Sequence, residues 1–125
     1  MQTEELLFFD PMPQALPLYQ ALREHVAAAC PDLRVKVSKT QISFYHRRLF
    51  AMVSLPLRRR RGWPPCCLVV TFGLGRRAES PRILQAIEPY PGRWTHHVPV
   101  ETTGDLDAEL FAWLDEACRF ARSKR

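Results

Sequence analysis

Apolar and polar positions along this chain repeat with two different periods. Over residues 14–29, apolar side chains recur three or four positions apart, which predicts a helix that Pro31 ends. A second helical stripe follows Thr103, which we expect to cap that helix. The buried side of the second stripe consists of Leu106, Leu110, Trp113, Leu114, Ala117 and Phe120. Between the two helices the period shortens to two, which is typical of strands.

The middle of the chain predicts four or five strands. They lie near residues 35–37, 41–45, 49–55, 66–72 and 94–100. Gly73 and Gly75 are assigned to a basic turn, and Ser80 with Pro81 is expected to open a short helix. Helices that bracket such a run predict an α+β fold. We therefore expect a two-layer domain, with a mostly antiparallel four- to five-stranded sheet and the N-terminal and C-terminal helices packed on one face.

The 125 residues suit a single domain spanning 1–125. Residues 1–13, apolar and then proline-rich, are expected to form an N-terminal arm, and residues 14–122 the globular core. The longest uncharged stretch covers residues 62–75, shorter than the roughly 20 apolar residues that cross a bilayer. The first ten residues carry acids but no Lys or Arg, unlike a secretory signal. We expect no membrane partner and a cytoplasmic location.

The net charge of +5 is unevenly distributed. Residues 31–97 hold 13 Lys or Arg against three acids, a net charge of +10, so the remainder of the chain carries −5. Fifteen of the 18 basic residues are Arg, whose planar guanidinium suits phosphate and carboxylate. A negatively charged partner would therefore meet the middle of the chain, and nucleic acid or a phosphorylated small molecule is the expected class.

Strand parity separates a core side from a polar side. Trp94 and His96 share one parity with the core, whereas Arg93, Thr95 and His97 face the other way. The candidate ligand-binding residues on the polar side are Lys36, Lys39, Thr40, Tyr45, Arg93, Thr95 and His97. A candidate phosphate-contacting loop consists of Arg58, Arg59, Arg60 and Arg61. Together with loops 47–48 and 76–77, this loop is expected to rim the polar face.

Motifs for catalysis or metal binding are missing from the sequence. The four cysteines have no C-x-x-C spacing, and we expect them to be reduced and mostly buried, as in a reducing compartment. His96 and His97 are adjacent, so in a strand they point to opposite faces and cannot chelate one ion together. We expect no metal, no cofactor and no catalytic residue of a known motif.

Four stretches of the chain resemble a bacterial family. They are Lys-Thr-Gln-Ile-Ser-Phe-Tyr at 39–45, Phe-Ala-Met-Val at 50–53, Arg-Trp-Thr-His-His at 93–97 and Leu-Asp-Ala-Glu-Leu at 106–110. Over residues 14–122 the chain is similar to the domain of unknown function 5655 family. The resemblance implies an α+β domain and transfers no catalytic residue. It points to Lys39, Thr40, Arg93, Thr95, His96 and His97 as positions to test, and the loop 58–61 lies outside its motifs.

Three functions remain open at the level of sequence. The first is a small basic module that binds nucleic acid or another anionic ligand on the polar sheet face. The second is a protein-interaction or homodimerisation domain, in which the apolar arm docks on another subunit instead of its own core. The third is an enzyme for a small anionic substrate, with His97 as acid or base and Arg93 as anion clamp.

Overall fold

A computed structural model describes residues 1–57, 63–64 and 67–123, and in this part of the chain six strands form one antiparallel sheet. The strands are β1 (Arg34–Val37), β2 (Ile42–His46), β3 (Arg48–Ser54), β4 (Leu68–Leu74), β5 (Gln85–Tyr90) and β6 (Arg93–Val100), in the spatial order β1-β2-β3-β4-β6-β5. The α-helices are α1 (Thr3–Phe8), α2 (Leu16–Ala29) and α3 (Ala108–Ser123). The predicted α+β fold is confirmed, with six strands instead of four or five.

The strand that the sequence pattern missed is β5. Ser80 and Pro81 were expected to open a helix, but the chain turns there and then pairs with β6. Proline at the start of a turn is as favourable as proline at the start of a helix, so the dipeptide does not distinguish the two. Because β5 is an edge strand, it also tolerates Pro89, whose nitrogen cannot donate a ladder hydrogen bond.

The strand β4 lies later in the chain than the pattern predicts. It begins at Leu68 and runs through Gly73 to Leu74, so Gly73 belongs to the sheet and not to a turn. Cys66, the predicted start of this strand, lies outside the described residues. All seven residues of β4 are buried, which explains why apolar side chains occupy both parities.

Helix α3 packs across the middle of the sheet, against β2, β3 and β4. Trp113 of α3 stacks on Phe72 of β4 with ring centroids 5.5 Å apart, and Tyr19 of α2 stacks on Phe44 of β2 at 6.3 Å. The helices therefore share one face of the sheet, as predicted. The cap of α3 is Asp107 and not Thr103, since the Asp107 carboxylate accepts a hydrogen bond from the Leu110 N–H at 3.0 Å.

The N-terminal arm packs on its own chain. Phe9 is buried, and the fully buried carboxylate of Glu5 accepts hydrogen bonds from the Tyr19 hydroxyl and from Arg23. Burial alone would raise the pKa of Glu5, but these hydrogen bonds outweigh it and hold that pKa below its ordinary value. Phe9 and Glu5 thus hold the arm on its own core, while Leu6 and Leu7 of α1 are exposed, so docking of this segment on a second subunit stays a prediction.

No helix in the described part of the chain combines the length and the apolar character that crossing a membrane requires.

Candidate functional site

The sheet face opposite the helices, which we call the outer face, is built in rows across the strands. Strand pairing aligns one complete row of its side chains, which consists of Lys36, Ser43, Met52, Thr71, His97 and Gln85. The next row contains Arg34 beside Tyr45 on β1 and β2, and Gly73 beside Thr95 on β4 and β6. Ser43 and Thr71 are buried within this polar face, whereas Arg34 and Lys36 are exposed.

The outer face is rich in cations and poor in acids. Among the residues of the six strands, the sole acid is Glu88, and its carboxylate accepts a hydrogen bond from the Gly92 N–H in the turn between β5 and β6. Within the described residues, no carboxylate pairs with Arg34, Lys36 or Arg93. The face therefore presents positive charge that nothing in the described chain neutralises.

The guanidinium of Arg93 lies over Gly73 of β4, where the glycine has no side chain to exclude it. A Cβ atom added at Gly73 would lie 2.6 Å from Nη2 of Arg93, closer than any carbon side chain can approach. The guanidinium thus occupies the space above β4 that a side chain at position 73 would fill. Gly73 is a site residue that sequence reasoning missed, and its strand parity with Thr71 is the signal that could have found it.

Two basic residues near the helices, Arg76 and Arg82, are paired with acids. Arg76 donates two hydrogen bonds to the Glu116 carboxylate, at 2.9 and 2.8 Å, and holds the pKa of Glu116 below its ordinary value. Arg82 donates to Asp107 at 2.7 Å and to Glu109 at 3.3 Å. The prediction that residues 76–77 rim the polar face is therefore wrong for Arg76, because acids of α3 attract it to the helix side.

A cavity of about 530 Å³ opens at one end of the outer face. The polar part of its lining comes from Lys39, Thr40 and Gln41 at the turn between β1 and β2, and from Ser54 at the end of β3. The apolar part consists of Phe8, Pro11, Leu55, Pro56, Leu57, Trp63 and Val69. Its volume falls in the range of about 300–1,000 Å³ that is typical of small-ligand sites.

Trp63 connects this cavity to the row that contains His97. Its ring centroid lies 6.0 Å from that of His97, and Nδ1 of His97 is hydrogen-bonded to the Thr71 hydroxyl at 2.8 Å. The Thr71 hydroxyl thus orients the His97 ring on the outer face, and the role of His97 as an acid or base stays a prediction.

The structure separates the predicted ligand-binding residues into three places. Lys39 and Thr40 line the cavity, while Lys36 and His97 share a row but stand four strand spacings apart, roughly 19 Å at about 4.8 Å per strand. The third place is the row beyond, where Thr95 lies with the guanidinium of Arg93 over Gly73, while Tyr45 of β2 lies beside Arg34, three strand spacings from β6. Arg58, Arg59, Arg60 and Arg61 lie outside the described residues.

His96, to which the family resemblance pointed, lies in the core. It is fully buried against Phe72, and its Nε2 accepts a hydrogen bond from the Ala78 N–H at 2.9 Å. Burial lowers the pKa of His96, so the ring is neutral near pH 7. Within residues 1–57, 63–64 and 67–123, three or more His, Cys, Asp or Glu side chains nowhere gather in a way that could hold a metal ion.

Comparison with curated proteins and with solved structures found no match. Residues 5–121 match a protein family described as a domain of unknown function (DUF5655), which covers nearly the whole chain and includes the motifs at 39–45 and 93–97. The chain therefore belongs to the domain of unknown function 5655 family.

Proposed function

We propose that this domain binds single-stranded nucleic acid on its outer face. The cations assigned to phosphate contacts are Arg34, Lys36, Lys39 and Arg93. The observation that supports the proposal is the distribution of acids. The six strands of the described chain hold Glu88 as their sole acid. In contrast, α3 holds Glu109, Asp115 and Glu116, and acids at the helix side pair with Arg76 and Arg82. Unpaired cations on a polar face attract phosphates and release the counterions condensed around them.

The spacing of these cations favours a polymer over a small anion. Lys36 on β1 and the Arg93 guanidinium, which lies over β4, are separated by three strand spacings, roughly 14 Å at about 4.8 Å each. One phosphate group cannot contact both side chains, but a chain of phosphates crossing the sheet can. The alternative of a phosphorylated small molecule would use the cavity alone, where Lys39 is the one cation among the described residues of the lining.

The cavity favours a single strand over a duplex. Trp63 and Val69 provide an apolar surface beside Lys39, which suits a flat nucleobase next to its own phosphate. A base can enter such a site after it leaves the base stack, and this costs least in a single strand. Aromatic stacking would add affinity without strong sequence preference.

The test is fluorescence anisotropy with labelled single-stranded oligonucleotides, the matching duplex and a nucleoside monophosphate, at 50 and 200 mM salt. If all four cations contact phosphates, the affinity for a single strand should fall about 50-fold between these salt concentrations. Tight binding of the monophosphate without a salt dependence would support the small-molecule alternative and reject the polymer. Weak binding of every probe would reject both.

A matched pair of variants locates the binding face. Lys39→Ala removes one cation from the cavity and should lower the slope of log affinity against log salt by about 0.7. Arg119→Ala removes an exposed cation from α3 on the opposite side and should leave the slope unchanged. An equal decrease of this slope in the two variants would show that binding depends on net charge and not on the outer face.

A further inference from the structure

Two buried thiols meet inside the helix layer, far along the chain from one another. Cys30 directly follows α2, Cys118 lies in α3, and their sulfur atoms are 2.8 Å apart. Cys30 is 2% exposed and Cys118 is 7% exposed. A disulfide bond is about 2.05 Å long, so the two sulfurs need to approach by only roughly 0.8 Å more to be joined.

We propose that Cys30 and Cys118 form an intramolecular disulfide when the folded protein meets a peroxide, so that this pair is an oxidation site that ties α2 to α3. The reduced pair expected from the sequence is the starting state of this reaction. Neither cysteine lies among the residues of the outer face or its cavity, so the proposal is independent of nucleic-acid binding.

The reaction balances with hydrogen peroxide as the oxidant. One sulfur attacks a peroxide oxygen and the O–O bond breaks, which yields a sulfenic acid and one water. The second sulfur then attacks the sulfenic sulfur, the S–S bond forms, the S–O bond breaks and a second water leaves. The two sulfurs together lose two electrons, the two thiol protons end in water, and the peroxide is reduced.

The surroundings of the two cysteines indicate which thiol reacts with peroxide first. Burial, with the hydrogen bond to Cys118, raises the pKa of Cys30 to about 12, so this thiol is seldom ionised near pH 7. Cys118 is the more exposed of the two and is the sulfur that peroxide reaches first. Cys30 then acts as the resolving thiol, because it is already held against the oxidised sulfur.

Peptide mapping of the full chain tests the proposal directly. Trypsin places Cys30 in peptide 24–34, Cys118 in peptide 94–119, and Cys66 with Cys67 in peptide 62–76. The folded protein is treated with peroxide, denatured, alkylated and digested without reductant. The expected product joins peptides 24–34 and 94–119 with the loss of two hydrogens, and dithiothreitol separates them. Alkylation of both cysteines, their separate over-oxidation, or a link to peptide 62–76 would overturn the proposal.

Thermal unfolding provides a second measurement. A disulfide that closes a loop of nearly 90 residues restricts the unfolded chain, so oxidation should raise the midpoint by about 10 °C. Cys30→Ala and Cys118→Ala should abolish this rise. The matched control Cys67→Ala removes another buried thiol and should retain it. An equal rise in the oxidised Cys118→Ala variant would exclude the pair as its cause.

Discussion

Gly73 determines where the Arg93 guanidinium can lie, since any Cβ at this position would come within 2.6 Å of Nη2. In Gly73→Ala we expect Arg93 to be displaced from β4 and the salt slope for single strands to fall by about 0.7. Stability should change little, because the clashing atoms are the end of a flexible side chain.

Gly75→Ala is the matched control for Gly73→Ala. Its added methyl group meets the Phe120 ring of α3 at 2.8 Å, on the other side of the sheet. Oligonucleotide titrations should therefore show unchanged binding in this variant, with a lower midpoint of thermal unfolding. Full binding by Gly73→Ala would show that binding does not depend on the position of Arg93 over Gly73.

His96 makes the stability of the protein depend on pH. Because burial lowers its pKa in the folded state, the unfolded chain binds the proton more readily. The folded state is therefore favoured above the ordinary histidine value of about 6.5 and loses that advantage as the pH falls below it. Urea unfolding between pH 7 and pH 5 should show a smaller decline in the free energy of unfolding for His96→Gln than for the wild type. The glutamine side chain keeps an acceptor for the Ala78 N–H. Equal declines in the free energy of unfolding of the two proteins would mean that groups other than His96 cause the pH dependence.

At the scale of elements, α1 is held by the buried carboxylate of Glu5. Glu5→Ala leaves the Tyr19 hydroxyl and Arg23 without their acceptor, and should lower the free energy of unfolding by about 2–4 kcal/mol at pH 7. The control Glu4→Ala, on the exposed side of the same helix, should cost less than about 0.5 kcal/mol. Urea denaturation measures both.

The sign of the pH effect provides a further check on Glu5. Because its pKa is lowered in the folded protein, its contribution is complete above the ordinary value of about 4.3 and is lost as the pH falls through the folded value. The difference between the wild type and Glu5→Ala should therefore shrink in strong acid. A difference that stays constant down to pH 2 would mean that the carboxylate charge is not what holds α1.

The elements differ in how well the sequence predicts them, and burial explains the difference. The helices α2 and α3 and the strands β3 and β4 were found because a buried face requires a periodic or continuous apolar pattern. The strand β5 was missed because it is an exposed edge strand, where only one of six residues, Ala86, is even half-buried. No periodic pattern marks such a strand, and Pro89 argues against one.

The candidate site was predicted only in part, because it depends on contacts between distant segments. Strand parity placed Lys36, Thr95 and His97 on one face. The cavity could not be predicted, since it joins the N-terminal arm, one turn and the ends of two strands. Nor does the sequence show that Arg76 and Arg82 turn toward α3, because pairing with acids is decided by folding and not by position along the chain.

At the scale of the whole molecule, charge is divided between two layers. Acids of α3 neutralise Arg76 and Arg82 on the helix side, and the outer face keeps cations without carboxylate partners in the described chain. The formal net charge of +5 therefore understates the potential over the outer face and overstates it over the helices. A polyanion should distinguish the two sides even though both carry arginine.

Two charge-reversed double variants test this division at equal net charge. Arg34→Glu with Lys36→Glu changes the outer face, and Arg119→Glu with Arg122→Glu changes exposed positions of α3 by the same amount. Anisotropy at 50 mM salt should show a loss of at least about 50-fold for the first variant, because two cations are lost and two repulsive charges are gained. The second should lose less than about threefold, since charges beyond a Debye length of roughly 14 Å at this salt are largely screened. Circular dichroism must show that both fold; equal losses by folded variants would mean that total charge, and not the outer face, attracts the nucleic acid.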